Sequence, residues 1–229
     1  MVSLEKKRLM IFQKRILGLL GFWLVPCALL GGLCGDNSAI KDPQWWNSIS
    51  MTYYANSSIC MIGVLFSMAV LFISYFPYKP TDKAWTFVAG LSALGILVFP
   101  CKHDEILTTG LFGLNSDLSF IIHCFCASVM FICFAIMVGI EFPKKHPYEK
   151  MTPEKMTRNK IYHICAIIIV VFLITQAITS QFKKLEFLTI INETIMLWAF
   201  SFAWLVKAEF FDCFNDKTEQ QTINEVVAK

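Results

Sequence analysis

The chain has 229 residues, of which 56% are hydrophobic and 16% charged, and its formal net charge is +3. Soluble domains contain about 45–50% apolar and about 25% charged residues, so this chain is shifted on both counts. The composition excludes disordered and fibrous proteins, and its long uncharged apolar runs argue against a single soluble globule. It indicates an integral membrane protein.

Six apolar runs are long enough to cross a bilayer as helices, which takes about 20 residues and tolerates about 17–25. They cover residues 16–34, 53–78, 84–101, 118–140, 164–182 and 187–206. Unpaired backbone groups are costly in lipid, and the runs are too continuous for the alternating strands of a barrel. The sequence therefore predicts an all-α, six-helix transmembrane bundle that forms one domain. Residues 215–229 would form a polar tail.

The distribution of basic residues predicts the orientation of this bundle. With the N-terminus in the cytoplasm, sixteen of the twenty Lys and Arg residues fall in inner segments, and only Lys41, Lys102, Lys183 and Lys184 fall in outer loops. This is a strong positive-inside bias, so both termini are predicted to be cytoplasmic. Because the basic residues are spread over several inner loops, no nucleic-acid partner is expected.

Two ionisable residues inside the predicted spans are the first candidates for a functional site. Glu193 is the seventh residue of the sixth span, and His123 is the sixth residue of the fourth. At 1.5 Å per residue, both lie about 8–10 Å below the outer boundary. Ionisable residues at membrane depth are costly and often functional. We expect Glu193 and His123 near the floor of a polar cavity that opens outward.

Other polar residues cluster at the same side of the predicted bundle. Ser50, Tyr53 and Tyr54 lie at the start of the second span, where they would line the entrance of the cavity. His103 follows the third span, and Asp117 precedes the fourth. The sequence thus predicts binding or passage of a lipid or small amphiphile, with membrane lipids as partners and with Glu193 and His123 as polar anchors.

Other interpretations of these residues remain open at this stage. Glu193 and His123 can also form a structural pair that fixes helix register, or take part in proton-coupled transport. Cys101-x-His103 and His123-x-x-Cys126 are weak patterns for a metal site. Ser50 with His123 lacks a nucleophile-elbow signature, so no catalytic residue is assigned. Phosphate loops and dinucleotide fingerprints are absent, and no cofactor is expected.

Two further features concern contacts between the predicted helices. Cys34 and Cys101 both fall at outer helix ends, where an oxidising exterior would allow them to pair. Small residues four positions apart allow helix backbones to approach closely. Such pairs are Gly31 and Gly35, Gly63 and Ser67, and Ala89 and Ala93.

A series of short motifs runs through most of the chain. It consists of Ser48-Ile49-Ser50, Tyr53-Tyr54, Phe99-Pro100, His123, Arg158-Asn159 with Tyr162, and Glu193 with Leu197-Trp198-Ala199-Phe200, Trp204 and Lys207. The series resembles a group of six-helix bacterial membrane proteins of unknown function, with a layout loosely like that of the DRAM and Sfk-type proteins. The resemblance implies a bacterial inner (cytoplasmic) membrane. Many members have a His after the Tyr pair, where this chain has Ala55.

A weaker resemblance is to the membrane hydrolases related to alkaline ceramidases and progestin-type receptors. Those proteins combine Ser, Asp and several His residues at a zinc ion, and Ser50, Asp104 and His123 are similar to part of that set. The paired His residues of their last helix are missing here, where Glu193 stands, and their helices number seven. The resemblance nevertheless implies an alternative function, a membrane-embedded, metal-dependent lipid hydrolase.

Overall fold

The computed structural model describes residues 4–34, 45–55, 58–77, 80–104, 106–144 and 151–216. These ranges contain six α-helices, so the predicted all-α fold is confirmed. The helices are α1 (Leu4–Cys34), α2 (Ser58–Ser74), α3 (Pro80–Val98), α4 (Ser116–Ile136), α5 (Pro153–Thr179) and α6 (Leu188–Lys207). The only strands within these ranges are β1 (Thr108–Thr109) and β2 (Leu114–Asn115), an antiparallel pair between α3 and α4.

Four stretches of helix are long and apolar enough to cross a membrane. They are Glu5–Leu30, Ser116–Glu141, Pro153–Thr179 and Leu188–Lys207. The second predicted span is shorter in the structure, because α2 begins at Ser58 and residues 50–54 form a separate 3-10 turn. With 17 residues, α2 lies at the lower limit for a membrane-spanning helix.

Several helices are longer than the predicted spans. The predicted spans stopped at charged residues, but a charged residue does not end a helix. α1 includes the basic segment before residue 16, and α5 begins eleven residues before residue 164. Thr152 caps α5 by accepting the backbone N–H of Lys155, and Pro153 occupies the first turn, where its missing N–H costs nothing. Hydropathy therefore located the apolar centres, while capping residues set the helix ends.

The six helices form an up-and-down ring in which α1 packs against both α2 and α6. The antiparallel course is visible where Arg15 reaches Ala208 and Gly21 lies against Ser201. We call the end at which α1 begins the inner end, after the predicted orientation. The opposite end, where α3 ends and α4 begins, is the outer end.

Four aromatic side chains from three helices meet in the centre of the ring. Phe72 of α2, Phe134 of α4, and Phe200 and Trp204 of α6 are all completely buried. Phe134 and Phe200 are stacked with ring centroids 3.8 Å apart, and the Phe72 ring lies 5.5–5.9 Å from the other three. This aromatic core lies towards the inner end, since Phe72, Phe134 and Trp204 fall within three residues of the ends of α2, α4 and α6.

Basic residues at the inner end bind the carbonyl groups of neighbouring helices. Lys83 donates to the Ile73 and Tyr75 carbonyls at the end of α2, at 2.6 and 2.8 Å. Lys207 donates to the Phe142 carbonyl after α4, and Arg15 to two carbonyls after α6. The last carbonyls of a helix lack partners within the helix and carry partial negative charge. The inner cations that predict the topology thus also cap α2, α4 and α6.

The chain after α6 is attached to the start of α5 through Arg158. Its guanidinium donates to the Phe214 carbonyl and to the Asp216 carboxylate. Partial burial alone would raise the pKa of Asp216, but hydrogen bonds from Arg158 and Thr152 outweigh it and lower that pKa. Asn215 and Asp216 therefore pack against the bundle, and the rest of the predicted polar tail, residues 217–229, lies outside the described residues.

Small residues allow α2 and α3 to approach closely, as the spacing of Ala89 and Ala93 predicts. Both alanines are completely buried, and a Cβ atom added to Gly90 would lie 2.9 Å from the Ala69 carbonyl oxygen. The Gly63 position differs, since nothing lies within 4 Å of an added Cβ atom. Gly35 and the side chains near residue 31 lie outside the described part of the chain.

We expect Gly90→Ala to lower the free energy of unfolding by about 1–3 kcal/mol, because the new methyl group meets the backbone of α2. Gly63→Ala is the matched control and should be neutral or slightly stabilising, since Ala favours the helix by about 1 kcal/mol. Chemical unfolding of both variants in detergent measures the difference. Equal stabilities would contradict the close α2–α3 contact.

Candidate functional site

The outer end of α3 is unwound, and side chains satisfy its exposed carbonyl groups. Pro100 lacks an N–H group and disfavours helical geometry at Phe99, so the helix ends at Val98. Three consecutive carbonyls then accept from side chains: Phe99 from His123 Nδ1 at 2.9 Å, Pro100 from Ser119 at 2.9 Å, and Cys101 from Tyr54 at 2.6 Å. His123 is therefore fixed by the end of α3.

The 3-10 turn Ser50–Tyr54 and the residue before it, Ile49, lie at the outer end and connect α4 to α6. Glu193 of α6 accepts the backbone N–H of Ile49 with its Oε2 atom at 2.7 Å. Ser50 Oγ lies 3.0 Å from Nε2 of His123 on α4. Within the turn, Thr52 donates to the Ile49 carbonyl, and Ser48 accepts the Met51 N–H. Glu193 and His123 do not bond each other but contact two consecutive residues, Ile49 and Ser50.

A cavity of about 40 Å³ lies beneath this turn and contains both Glu193 and Ser50 in its wall. Its other lining residues are apolar and come from α1, α2, α3, α4, α6 and the segment before the turn. This cavity has room for roughly one to three water-sized groups. Its wall is more apolar than that of the polar cavity expected from the sequence, and His123 lies behind Ser50 and not in the wall. We call it the outer cavity.

Tyr54 and His103 form a second polar group beside the outer cavity. The Tyr54 hydroxyl lies 2.8 Å from Thr109 Oγ1, and its ring centroid lies 5.1 Å from that of His103. His103 is buried, with 4% of its surface exposed. Neither residue lines the outer cavity, so their contacts hold β1 and the chain after α3 against the turn.

The remaining predicted residues lie away from the outer cavity. Asp117 is exposed and forms an ion pair with Lys102 at 2.6 Å, and its hydrogen bond and charge raise the pKa of that lysine. Tyr53 is half-buried and packs with its ring against Tyr54. Cys101 is a free, buried thiol that lies 3.5 Å from the Met51 sulfur, and the side chain of Cys34 lies outside the described part of the chain.

Several polar residues of this region were not predicted from the sequence. Ser119 lies one turn before His123 on α4 and is completely buried. Ser119 and His123 are four residues apart and so lie on one face of α4, and this spacing could have identified Ser119 from the sequence. At the same end, Asn192 donates to Gln176 of α5 at 2.9 Å and joins α5 to α6. These polar residues connect helices and do not face the outer cavity.

Two features of the described residues bear on the hydrolytic interpretations. Within the described ranges, no group of three His, Cys, Asp or Glu side chains is placed to hold a metal ion. Ser50 and His123 do have the spacing of a nucleophile and its base. Hydrolysis by serine also needs hydrogen-bond donors for the oxyanion. The other polar group in the wall is the carboxyl of Glu193, which as a carboxylate would repel that charge.

We expect Glu193→Leu to lower the free energy of unfolding by about 1–3 kcal/mol, because the Ile49 N–H loses its buried acceptor. Glu193→Gln should retain most of the stability, since its amide oxygen can accept the same hydrogen bond. Thermal unfolding, together with hydrogen exchange of peptides that cover residues 45–55, measures both effects. Similar exchange rates in the two variants would contradict an anchoring role for Glu193.

No protein-family model, curated protein or solved structure matches this chain. The resemblance to the six-helix bacterial proteins therefore stays a prediction from short motifs. A fold does not by itself imply an activity, so function has to be inferred from the chemistry of the site.

Proposed function

We propose that this chain is a six-pass protein of the bacterial inner membrane that binds a small amphiphile at the outer cavity. Four helical stretches have the length and composition of membrane spans. Because α2 and α3 complete the same ring between α1 and α4, they would lie at the same depth. The motif resemblance supports the bacterial inner membrane, and the bias of basic residues supports cytoplasmic termini.

The observation that carries this proposal is the Glu193 carboxyl group in the wall of an otherwise apolar cavity. An ionisable group at membrane depth is costly and is by default a candidate for a functional site. Its Oε2 atom binds the Ile49 N–H, and no other hydrogen bond to Glu193 occurs among the described residues. The second carboxyl oxygen therefore remains available for a ligand.

The size of the outer cavity limits what it can hold. About 40 Å³ accommodates a small head group but not an acyl chain. The apolar part of the amphiphile would then remain outside the cavity, against the bundle or in the bilayer. Since the aromatic core around Phe134 and Phe200 fills the centre of the ring, we propose binding and not passage.

Filling the outer cavity should abolish binding. Ala127 lines the cavity, and Ala127→Val adds two methyl groups there. Ala177→Val is the matched control, because Ala177 is exposed on α5. Thermal unfolding in phosphatidylcholine nanodiscs would be measured with octylamine, octyltrimethylammonium, octanol and octanoate. A ligand at 100 times its Kd stabilises by about 2.7 kcal/mol.

We expect at least one of the four amphiphiles to stabilise the wild type and Ala177→Val, but not Ala127→Val. If none of them stabilises the wild type, the proposed function is wrong. If Ala127→Val responds like the wild type, the ligand binds somewhere else.

The proposed orientation is tested separately with C-terminal fusions. A green fluorescent protein joined after Lys229 should fluoresce in bacterial cells, whereas a fused alkaline phosphatase should stay inactive, because that enzyme needs the oxidising periplasm. Active phosphatase at this position would show that the C-terminus is outside and would contradict the six-pass topology.

A further inference from the structure

We infer that the outer cavity recognises a primary ammonium group, which makes the ligand class an amphiphilic primary amine. This inference rests on the proposed function and adds the chemistry of the head group. Two polar side chains, Glu193 and Ser50, line the cavity. Ser50 donates its only hydrogen to His123, and the carboxylate form of Glu193 only accepts, so an occupant that binds this form must supply the donors.

The hydrogen-bonding state of Ser50 follows from the Phe99 carbonyl. A carbonyl oxygen only accepts, so His123 Nδ1 must carry the hydrogen in its 2.9 Å contact with Phe99. His123 is buried, with 5% of its surface exposed, and burial favours the neutral ring, whose Nε2 atom accepts. Ser50 Oγ, 3.0 Å away, therefore donates its hydrogen to Nε2. Only lone pairs of the Ser50 oxygen remain for a ligand.

Glu193, as a carboxylate, offers the ligand a free acceptor oxygen and a negative charge. Its Oε2 atom is bound to the Ile49 N–H at 2.7 Å, and Oε1 has no hydrogen-bond partner within the described ranges. The ion pairs in these ranges involve Asp117, Glu141 and Asp216, and none involves Glu193. A cation from outside the described chain would thus both satisfy Oε1 and neutralise the carboxylate.

The dimensions and lining of the cavity select among cationic head groups. An –NH3⁺ group is about the size of one water molecule, ~30 Å³, and brings three hydrogen-bond donors. It lies within the roughly one to three water-sized groups for which the cavity has room, whereas a trimethylammonium group has no hydrogen-bond donor. Phe131 also lines the cavity, and an aromatic ring favours a cation over a neutral group. Water fits the same space but leaves the carboxylate without a counter-charge.

The test uses the full chain in phosphatidylcholine nanodiscs, whose lipid contains no primary amine. Apparent Kd values for octylamine, octyltrimethylammonium, octanol and octanoate are obtained from the dependence of Tm on ligand concentration. We expect octylamine to bind at least tenfold more tightly than each of the other three. All four share the same chain, so the comparison isolates the head group.

Glu193→Gln should weaken octylamine binding at least tenfold, because the amide keeps the Ile49 contact but loses the charge. Glu186→Gln is the matched control and should bind octylamine as the wild type does. It removes a carboxylate from the segment just before α6, outside the cavity wall.

Each outcome separates this inference from the proposed function. Octanol or octyltrimethylammonium binding as tightly as octylamine would overturn ammonium recognition and leave amphiphile binding in place. Octylamine binding that is unchanged in Glu193→Gln would also overturn it, and this result is independent of the cavity-filling variant. No response to any of the four ligands in the wild type, as for a cavity that holds water only, would overturn both proposals.

Discussion

The hydrogen bond between the Phe99 carbonyl and His123 determines the chemistry of the outer end. Pro100 ends α3 inside the bundle, and each carbonyl released there needs a donor because the surrounding side chains are buried. The Phe99 carbonyl obtains its donor from His123 Nδ1, and this fixes the tautomer of the ring. Nε2 then accepts the Ser50 hydroxyl, which leaves only lone pairs of the Ser50 oxygen facing the cavity. A backbone requirement of α3 thereby defines the proposed ligand.

Carbonyl groups at the inner end need hydrogen-bond donors in the same way, and there the donors are charged side chains. α2, α4 and α6 end there, and Lys83, Lys207 and Arg15 from neighbouring helices donate to their final carbonyls. At the outer end the donors are neutral side chains such as Ser119 and Tyr54. This difference agrees with the positive-inside bias, since cations that set topology are also the natural partners of helix C-termini. The two ends are separated by the aromatic core.

The sequence allowed much of the fold to be predicted and less of the site. Hydropathy located all six helices, because long apolar runs have few alternatives in a bilayer. It misplaced the start of α2, since Tyr53 and Tyr54 are apolar enough to extend the run but belong to a 3-10 turn. Glu193 and His123 were recognised from their cost at membrane depth. Their partners, Ile49 and Phe99, are backbone groups, and residue identity carries no signal for backbone contacts between distant segments.

The amino-acid sequence by itself determined the class of the protein, the number and order of its helices, and the residues whose burial in lipid would be expensive. Those properties depend on local composition and on the thickness of a bilayer. Only the tertiary structure decided that Glu193 and Ser50 share a cavity of about 40 Å³, that His123 lies behind it, and that Asp117 faces outward with Lys102. These placements depend on how distant helices pack and on which backbone groups remain unpaired, and neither is encoded in the spacing of residues along one helix.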